Sequence, residues 1–413
     1  MIRLSSLLRF TTCSPLSPNR VHLVTLQDRA HRILAVLALI FVPFVAWSRD
    51  IAVIVLVLST MAVLCDPVAR QALAVHAFVR NRGAQVGFTV LVWATAAVFW
   101  APHNAWSAWA KAIVLVVLTV MLVVGLEALP SERLRRFAPW VAAAAGGLFF
   151  LLMVERATGG FFIHIERSTA APETLYNVLS GGLTLLCCLA FCAAYFLWQK
   201  FPRRGMAIGF VAGCFVLSLF YRMDAAPVAL GVGAVGFLLI RRLGRPMFAF
   251  LGIWLVVITL AWGSVASLAW NMNAPVWLDD HGLRNWASRI LIWHGVAQLI
   301  ADNSIVGYGF DSSRIVGQGR VSFLHPHNGV LQVWLELGMV GVLLMYASAA
   351  RAARVLVQNA RDTTVMAVAA ATVVTFSVFW SLSFGIWQGW YLAVAGITVA
   401  ALVLLYKTSQ SAE

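Results

Sequence analysis

Long apolar runs decide what this chain can become. Twelve of them can be drawn, at approximately 33–48, 51–65, 86–101, 108–126, 138–154, 177–198, 205–221, 226–240, 246–268, 329–350, 364–381 and 384–406. A helix needs about 20 apolar residues to cross the ~30 Å hydrocarbon layer of a bilayer. In lipid every backbone N–H and C=O must be satisfied within the structure, so only helices and closed barrels span it. These runs are continuous rather than alternating, which argues against a barrel. The expected fold class is all-α: a polytopic transmembrane helical bundle of about 12 spans. Composition agrees, with 61% hydrophobic and 11% charged residues and a mean hydropathy of +0.86, where a soluble protein carries about 25% charged residues.

The net charge of +14 would point to nucleic acid in a soluble protein. Here the cations fall in short loops on alternate sides of the runs. One side holds Arg3, Arg9, Arg20, Arg29 and Arg32, then Arg70, Arg80 and Arg82, Arg133, Arg135 and Arg136, and Lys200, Arg203 and Arg204. It continues with Arg241, Arg242 and Arg245, Arg351, Arg354 and Arg361, and Lys407. That is about 21 of the 30 basic residues, so the side is read as cytoplasmic by the positive-inside rule, with both termini there and no nucleic-acid partner. The division that follows is a cytoplasmic basic arm (1–32), spans one to nine (33–268), a long outer loop (269–328), spans ten to twelve (329–406) and a short tail (407–413). The arm has no short apolar core followed by a small-residue cleavage site, so no signal peptide is expected. The six cysteines (Cys13, Cys65, Cys187, Cys188, Cys192 and Cys214) lie in the arm or the apolar runs. They suggest packing rather than a disulfide framework or a zinc site.

Three outer positions could carry chemistry: 155–176, the turn Tyr221-Arg222-Met223-Asp224, and the long loop. The long loop contains an expected helix from about Leu283 to Ala301, with Leu283, Trp286, Ile290, Trp293, Ala297 and Ile300 on one face. Arg289 falls at the edge of that face, between Trp286 and Trp293. Arg284, Gln298 and Asp302 take the polar side, which Leu291 and Leu299 interrupt. The helix is expected to lie flat on the outer surface of the bundle. Gly307-Tyr308-Gly309 follows, then a turn-rich stretch, then His325-Pro326-His327-Asn328.

His327 is a candidate base, since a neutral imidazole accepts a proton near neutral pH. Asn328, Gln332 and Glu336 follow at steps of four and share one face of the tenth span. On spacing alone these three are equally readable as interhelical hydrogen-bonding groups, and His327 as a helix-start residue. Arg222 and Arg289 stand on the side where cations are scarce, and a guanidinium grips phosphate through a fork of donors. Pairing of Arg222 with Asp224, or interfacial anchoring of Arg289, remains open at this stage. A metal site built from His325, His327 and Asp311 or Asp302 is disfavoured by the restriction Pro326 imposes. No HExxH pattern, phosphate loop or convincing pair of outer acids occurs, so no metal, nucleotide or other cofactor is expected.

The run His327-Asn328, nine residues, Gly338, two residues, Gly341 (HNGVLQVWLELGMVG) resembles the signature of the O-antigen ligases, a superfamily shared with O-antigen polymerases and protein O-oligosaccharyltransferases. Ser288-Arg289 followed by Trp293 is similar to the family's arginine-containing loop helix. Arg222 resembles its membrane-edge arginine, although Tyr221 stands where a small or polar residue is usual. The resemblance implies a glycosyltransferase of the GT-C type in the bacterial inner membrane, facing the periplasm. It would move a glycan from undecaprenyl pyrophosphate to a sugar hydroxyl of the lipid A core by a metal-independent, inverting displacement. It also implies that His327 is the catalytic histidine and that Arg222 and Arg289 hold the pyrophosphate. Asn328, Gln332, Glu336 and His325 would play supporting roles. One dominant outer loop favours a ligase over a polymerase. A lipid or polysaccharide transporter would instead want ionisable residues deep in several spans or an internal repeat. Oligomeric state is not legible.

Overall fold

The structure, a computed structural model, describes residues 18–73, 82–161, 172–221, 223–316, 325–359 and 362–410. Its described elements are helices: α1 (Pro18–Phe44), α2 (Ile51–Leu64), α3 (Pro67–Ala72), α4 (Arg82–Ala96), α5 (Trp106–Ala128), α6 (Ser131–Ala157), α7 (Pro172–Lys200) and α8 (Arg204–Leu219). They continue with α9 (Ala225–Leu243), α10 (Arg245–Asn271), α11 (Ala274–Asp280), α12 (Arg284–Asp302), α13 (Ser313–Val316), α14 (Gly329–Asn359), α15 (Thr363–Leu382) and α16 (Gly389–Ser409). Among the described residues, seven helical segments are long and apolar enough to cross a membrane: α5, α6, Leu179–Lys200 of α7, α9, Gly329–Arg351 of α14, α15 and α16. The expected spans at 33–48, 51–65 and 205–221 fall on shorter apolar helices.

The bundle is built around α7, whose Leu183, Leu185, Cys187, Cys188, Cys192 and Phe196 are all fully buried. Helices α6, α8, α15 and α16 pack on it. The three cysteines behave as small packing residues, and Cys192 Sγ lies 3.4 Å from Thr372 Oγ1 of α15. The closest pairing is α9 on α15. There the Thr375 hydroxyl donates to the Ala229 carbonyl at 3.2 Å, and a side chain at Gly233 would collide with Thr375 and Phe191. Small residues that let backbones approach are the usual device where lipid removes the hydrophobic driving force between helices.

Three of the cations assigned above to the cytoplasmic side are held by helix ends and caps. Asp66 caps α3 by accepting from Val68 N (2.8 Å), with Pro67 at the first helical position, and also accepts from Arg133 Nη1 at 2.7 Å. Arg135 Nε donates to the Thr408 carbonyl at 3.3 Å and Lys407 Nζ to the Glu127 carbonyl at 2.8 Å. A cation near a helix C-terminus satisfies carbonyls that have no intrahelical partner.

Several boundaries differ from the expectation. Helix α1 begins at Pro18, inside the stretch assigned to the arm. The run at 86–101 is helical only to Ala96 and then turns. The last span starts at Gly389, and the non-helical 383–388 segment before it belongs to the site. The long loop holds three helices, α11, α12 and α13, where one was expected. The reason is length: α11 and α13 have 7 and 4 residues, too few to show a 3.6-residue period. Helix α12 does run over the expected stretch, but its buried set is Ala287, Trp293, Gly295, Val296, Leu299 and Ile300. Leu299 therefore belongs to the covered side. Helix α12 is packed against α10, α11 and α14 rather than exposing one whole face.

Candidate functional site

The His325–Asn328 stretch sits where α12, α14 and the 383–388 segment meet. Asn328 is fully buried and ends the stretch as a cap, its Oδ1 accepting from Val330 N and Leu331 N at 3.0 Å each. This satisfies orphan N–H groups of α14. Trp293 of α12 donates its Nε1–H to the Pro326 carbonyl at 2.9 Å. His327 has φ +53°, a left-handed conformation that side chains other than glycine seldom adopt and that persists only when neighbours enforce it. The enforcing contact is a 2.7 Å hydrogen bond from Nδ1 to the Ser383 carbonyl. A carbonyl can only accept, so Nδ1 carries the proton and Nε2 is the bare, basic nitrogen of the neutral ring.

Electrostatics keep that ring neutral. Burial pushes the His327 pKa below 6.5; the Ser383 hydrogen bond opposes this and the charge of Arg289 adds to it. Burial pushes His325 further, to about 3, with contributions from His327, Arg314 and Arg49. The two imidazoles stack edge to face with centroids 4.2 Å apart, too close for both to be charged comfortably. His325 is fixed by Gln388, whose amide lies 3.2 Å from its Nε2, while the other face of Gln388 accepts from Trp390 Nε1 at 2.7 Å.

Arg289 lies over the Trp286 ring, 4.9 Å from its centroid, a cation–π contact that fixes the guanidinium. Its Nη1 is buried and has no hydrogen-bond partner, and burial lowers its pKa, opposed by Asp224. A buried guanidinium nitrogen without a partner is costly, and a bound oxyanion would satisfy it. Arg289 and His327, linked only by sidedness in the sequence, lie near enough for the guanidinium charge to act on the imidazole. Arg222 lies outside the described residues. Asp224, two positions on, is near enough to Arg289 to act on its charge.

Gln332 and Glu336 point away from this chemistry. Glu336 is fully buried and accepts from Asp311 N (2.9 Å), Ser313 N (3.4 Å), Gln332 Nε2 (3.0 Å) and Trp387 Nε1. Gln332 Oε1 accepts from Ile386 N at 3.0 Å. Together they tie the 307–313 and 383–388 segments to α14, so their supporting role is scaffolding through interhelical hydrogen bonds. The motif glycines are scaffold too. Gly338 has φ +66° and ψ −172° and breaks α14 into two halves. Through the break, Tyr308 N and Gly309 N reach the Leu335 and Glu336 carbonyls (2.8 and 2.9 Å), and Met339 N reaches Ser304 O (2.8 Å). Among the described residues no group of three histidine, cysteine or acidic side chains could hold a metal ion, and Asp311 is engaged by Arg314 at 2.9 Å.

The sequence reading missed three contributors. Ser383 offers only a carbonyl, which no residue pattern reveals. Gln388 was read as the interior of a span. Arg49 was not singled out, since its place over the Trp390 ring is a contact that no sequence pattern reveals.

The fold defines a class: a polytopic helical membrane protein in which the half-buried Arg289 lies near enough to an oriented histidine for its charge to act on the ring. Residues 222–346 match the profile of the O-antigen ligase family. Similar proteins include three named as candidate polysaccharide ligases. Those of Rickettsia conorii and Rickettsia felis are each 27% identical over 270 residues, and that of Rickettsia prowazekii is 26% identical over 270 residues. Each match covers 62% of this chain and 63% or 64% of the relative, so the chain spans under two thirds of the length of these relatives.

Proposed function

We propose that this chain is a glycosyltransferase, an O-antigen ligase. It moves a glycan from undecaprenyl pyrophosphate to a sugar hydroxyl of the lipid A core, in lipopolysaccharide biosynthesis. In this reading it is a multi-pass protein of the bacterial inner membrane with about twelve spans. Nine spans lie in 33–268 and three in 329–406, with 269–328 facing the periplasm and both termini cytoplasmic. The observation that carries the reading is the bare Nε2 of His327, with the charge of half-buried Arg289, whose buried Nη1 has no partner, acting on its ring.

The acceptor hydroxyl oxygen attacks the anomeric carbon from the face opposite the leaving group. The carbon–oxygen bond to pyrophosphate breaks and its electron pair stays on the pyrophosphate, so configuration inverts. The hydroxyl proton goes to His327 Nε2. Pyrophosphate is a good leaving group, so no general acid is demanded. Arg289, together with Arg222, stabilises the charge that develops there. A histidine base contributes typically about 10²–10⁴-fold, and two guanidinium forks do the charge neutralisation without a metal.

The test is transfer by purified protein given lipid-linked glycan and lipid A-core, with EDTA in excess. The wild type is expected to form the joined product and His327→Ala to lose at least about a hundredfold in rate. Wild-type rates in His327→Ala would sink the assignment. Activity lost in EDTA and restored by a divalent ion would remove the metal-independent mechanism.

A further inference from the structure

Arg289 and Arg49 act on different members of the histidine pair. Arg289 acts on His327, whereas Arg49 and Arg314 act on His325. Arg314 is engaged by Asp311. Arg49 has no carboxylate partner among the described residues; its cation lies over the Trp390 ring at 5.3 Å from the centroid. The rest of its side chain is pinned, because Gly181 of α7 leaves room for it and any side chain there would strike the Arg49 Cβ. A continuous chain of contacts then leads to the proposed base. Trp390 Nε1 donates to Gln388 Oε1 (2.7 Å), the Gln388 amide meets His325 Nε2 (3.2 Å), and His325 stacks on His327 (4.2 Å between centroids). Arg49 itself is exposed, so its donors stay available to a ligand while aromatic stacking fixes their plane.

We propose that Arg49 is a second anion-binding arm, which grips an oxyanion on the acceptor saccharide while the donor pyrophosphate lies on the Arg289 side. This rests on the transferase reading above and adds the substrate feature it selects. The assignment to the acceptor follows from placement. The base must face the acceptor hydroxyl, so the two substrates meet at His327. One of them approaches along the Arg289 wall and the other along the His325–Gln388–Trp390–Arg49 wall. A guanidinium matches phosphate or carboxylate by bidentate hydrogen bonding, and Lys does not reproduce the fork. The acceptor's oxyanion is therefore a phosphate or a carboxylate within one arginine's reach of the accepting sugar.

The experiment measures KM and kcat of full-length wild type, Arg49→Gln and Arg49→Lys with three acceptors: intact core glycolipid, enzymatically dephosphorylated core, and carboxyl-reduced core. The Arg49→Gln variant should raise the KM for intact acceptor about tenfold, the loss of a charge-assisted hydrogen bond, with kcat at saturation and donor KM changing less than about twofold. Wild type should show a similar KM penalty on whichever treated acceptor has lost the relevant group, and Arg49→Gln should show no further penalty there. Arg49→Lys should fall between, which separates recognition from misfolding. Equal penalties on all three acceptors, no penalty, or a rise confined to donor KM would each overturn the proposal. Inactive wild type, or active His327→Ala, would instead overturn the transferase reading itself.

Discussion

Replacing Gly338 by alanine tests why the motif ends in glycine. At φ +66° and ψ −172° the residue occupies a region that is essentially glycine-only, and holding an L-residue there costs about 1–3 kcal/mol. The new Cβ would also run into the carbonyl of Ile305. That carbonyl is not free to retreat, since Val340 N donates to it at 3.3 Å while Met339 N holds Ser304 O at 2.8 Å. Giving up both bonds adds about 1–3 kcal/mol. The sum, about 2–6 kcal/mol, is a large part of what most domains possess. The assay is thermal unfolding in detergent followed by fluorescence of the 17 tryptophans, with two other glycines as references. At Gly146 an added Cβ meets nothing within 4 Å, and alanine should be neutral or stabilising by up to about 1 kcal/mol on helix propensity. At Gly341 the new Cβ would strike the Leu337 Cβ, which side-chain rotation cannot move, but the backbone there is not left-handed, so a smaller loss than at Gly338 is expected. The order of melting is Gly146→Ala, then Gly341→Ala, then Gly338→Ala. If Gly338→Ala melts with Gly146→Ala, the break in α14 is not what the glycine is for.

The depressed pKa of His327 keeps Nε2 bare below the ordinary imidazole value, so the acid limb of kcat/KM against pH should fall below pH 6.5; a limb at or above 6.5 would contradict the buried, neutral ring. For His325 the folded pKa, about 3, lies below the ordinary 6.5, so the folded state binds fewer protons than the unfolded one across that window. Stability is thus lost as pH falls from about 6.5 toward 3, and a melting series should show a shallower acid loss in His325→Gln than in wild type. Trp293→Phe removes the 2.9 Å bond to Pro326 O while keeping the packing, and should lower the transfer rate about tenfold because small misplacements of a base are expensive, with melting shifted by only a few degrees; unchanged transfer would show that α12 does not position the histidine turn.

The all-helical character of the fold was legible because apolar length is a one-dimensional signal. The loop helix was legible from its period, and Arg289 beside Trp286 from a spacing of three. The site was legible only in part. Nothing in a sequence says which carbonyl a histidine will find, so Ser383 and the tautomer it dictates were invisible. Gln388 hid inside an apolar run, because the non-helical 383–388 segment is nearly as apolar as the helix that follows it. The carboxylate of Glu336 was conspicuous but ambiguous. A buried acid in an apolar helix reads as chemistry until its acceptor positions are counted, and here backbone N–H groups, an amide and an indole fill them.

That count bears on how the cleft is built. Helix α14 supplies the histidine turn at its start, but its first two turns hold the neighbouring segments rather than substrate. Gln332 takes the 383–388 segment by Ile386 N, and Glu336 takes it by Trp387 and the 309–313 turn by Asp311 N and Ser313 N. The Ser383 carbonyl that sets the His327 tautomer is part of the segment so held. The acid and amide of the motif therefore act on the base at second hand. Glu336→Gln keeps acceptor positions at one oxygen but turns the other into a donor facing donors, and Glu336→Leu removes all of them. A pure electrostatic role would make these two substitutions equally harmful to transfer, because both remove the charge. The scaffold described here instead ranks them: Glu336→Gln should retain more transfer and a higher melting temperature than Glu336→Leu, with both properties falling together.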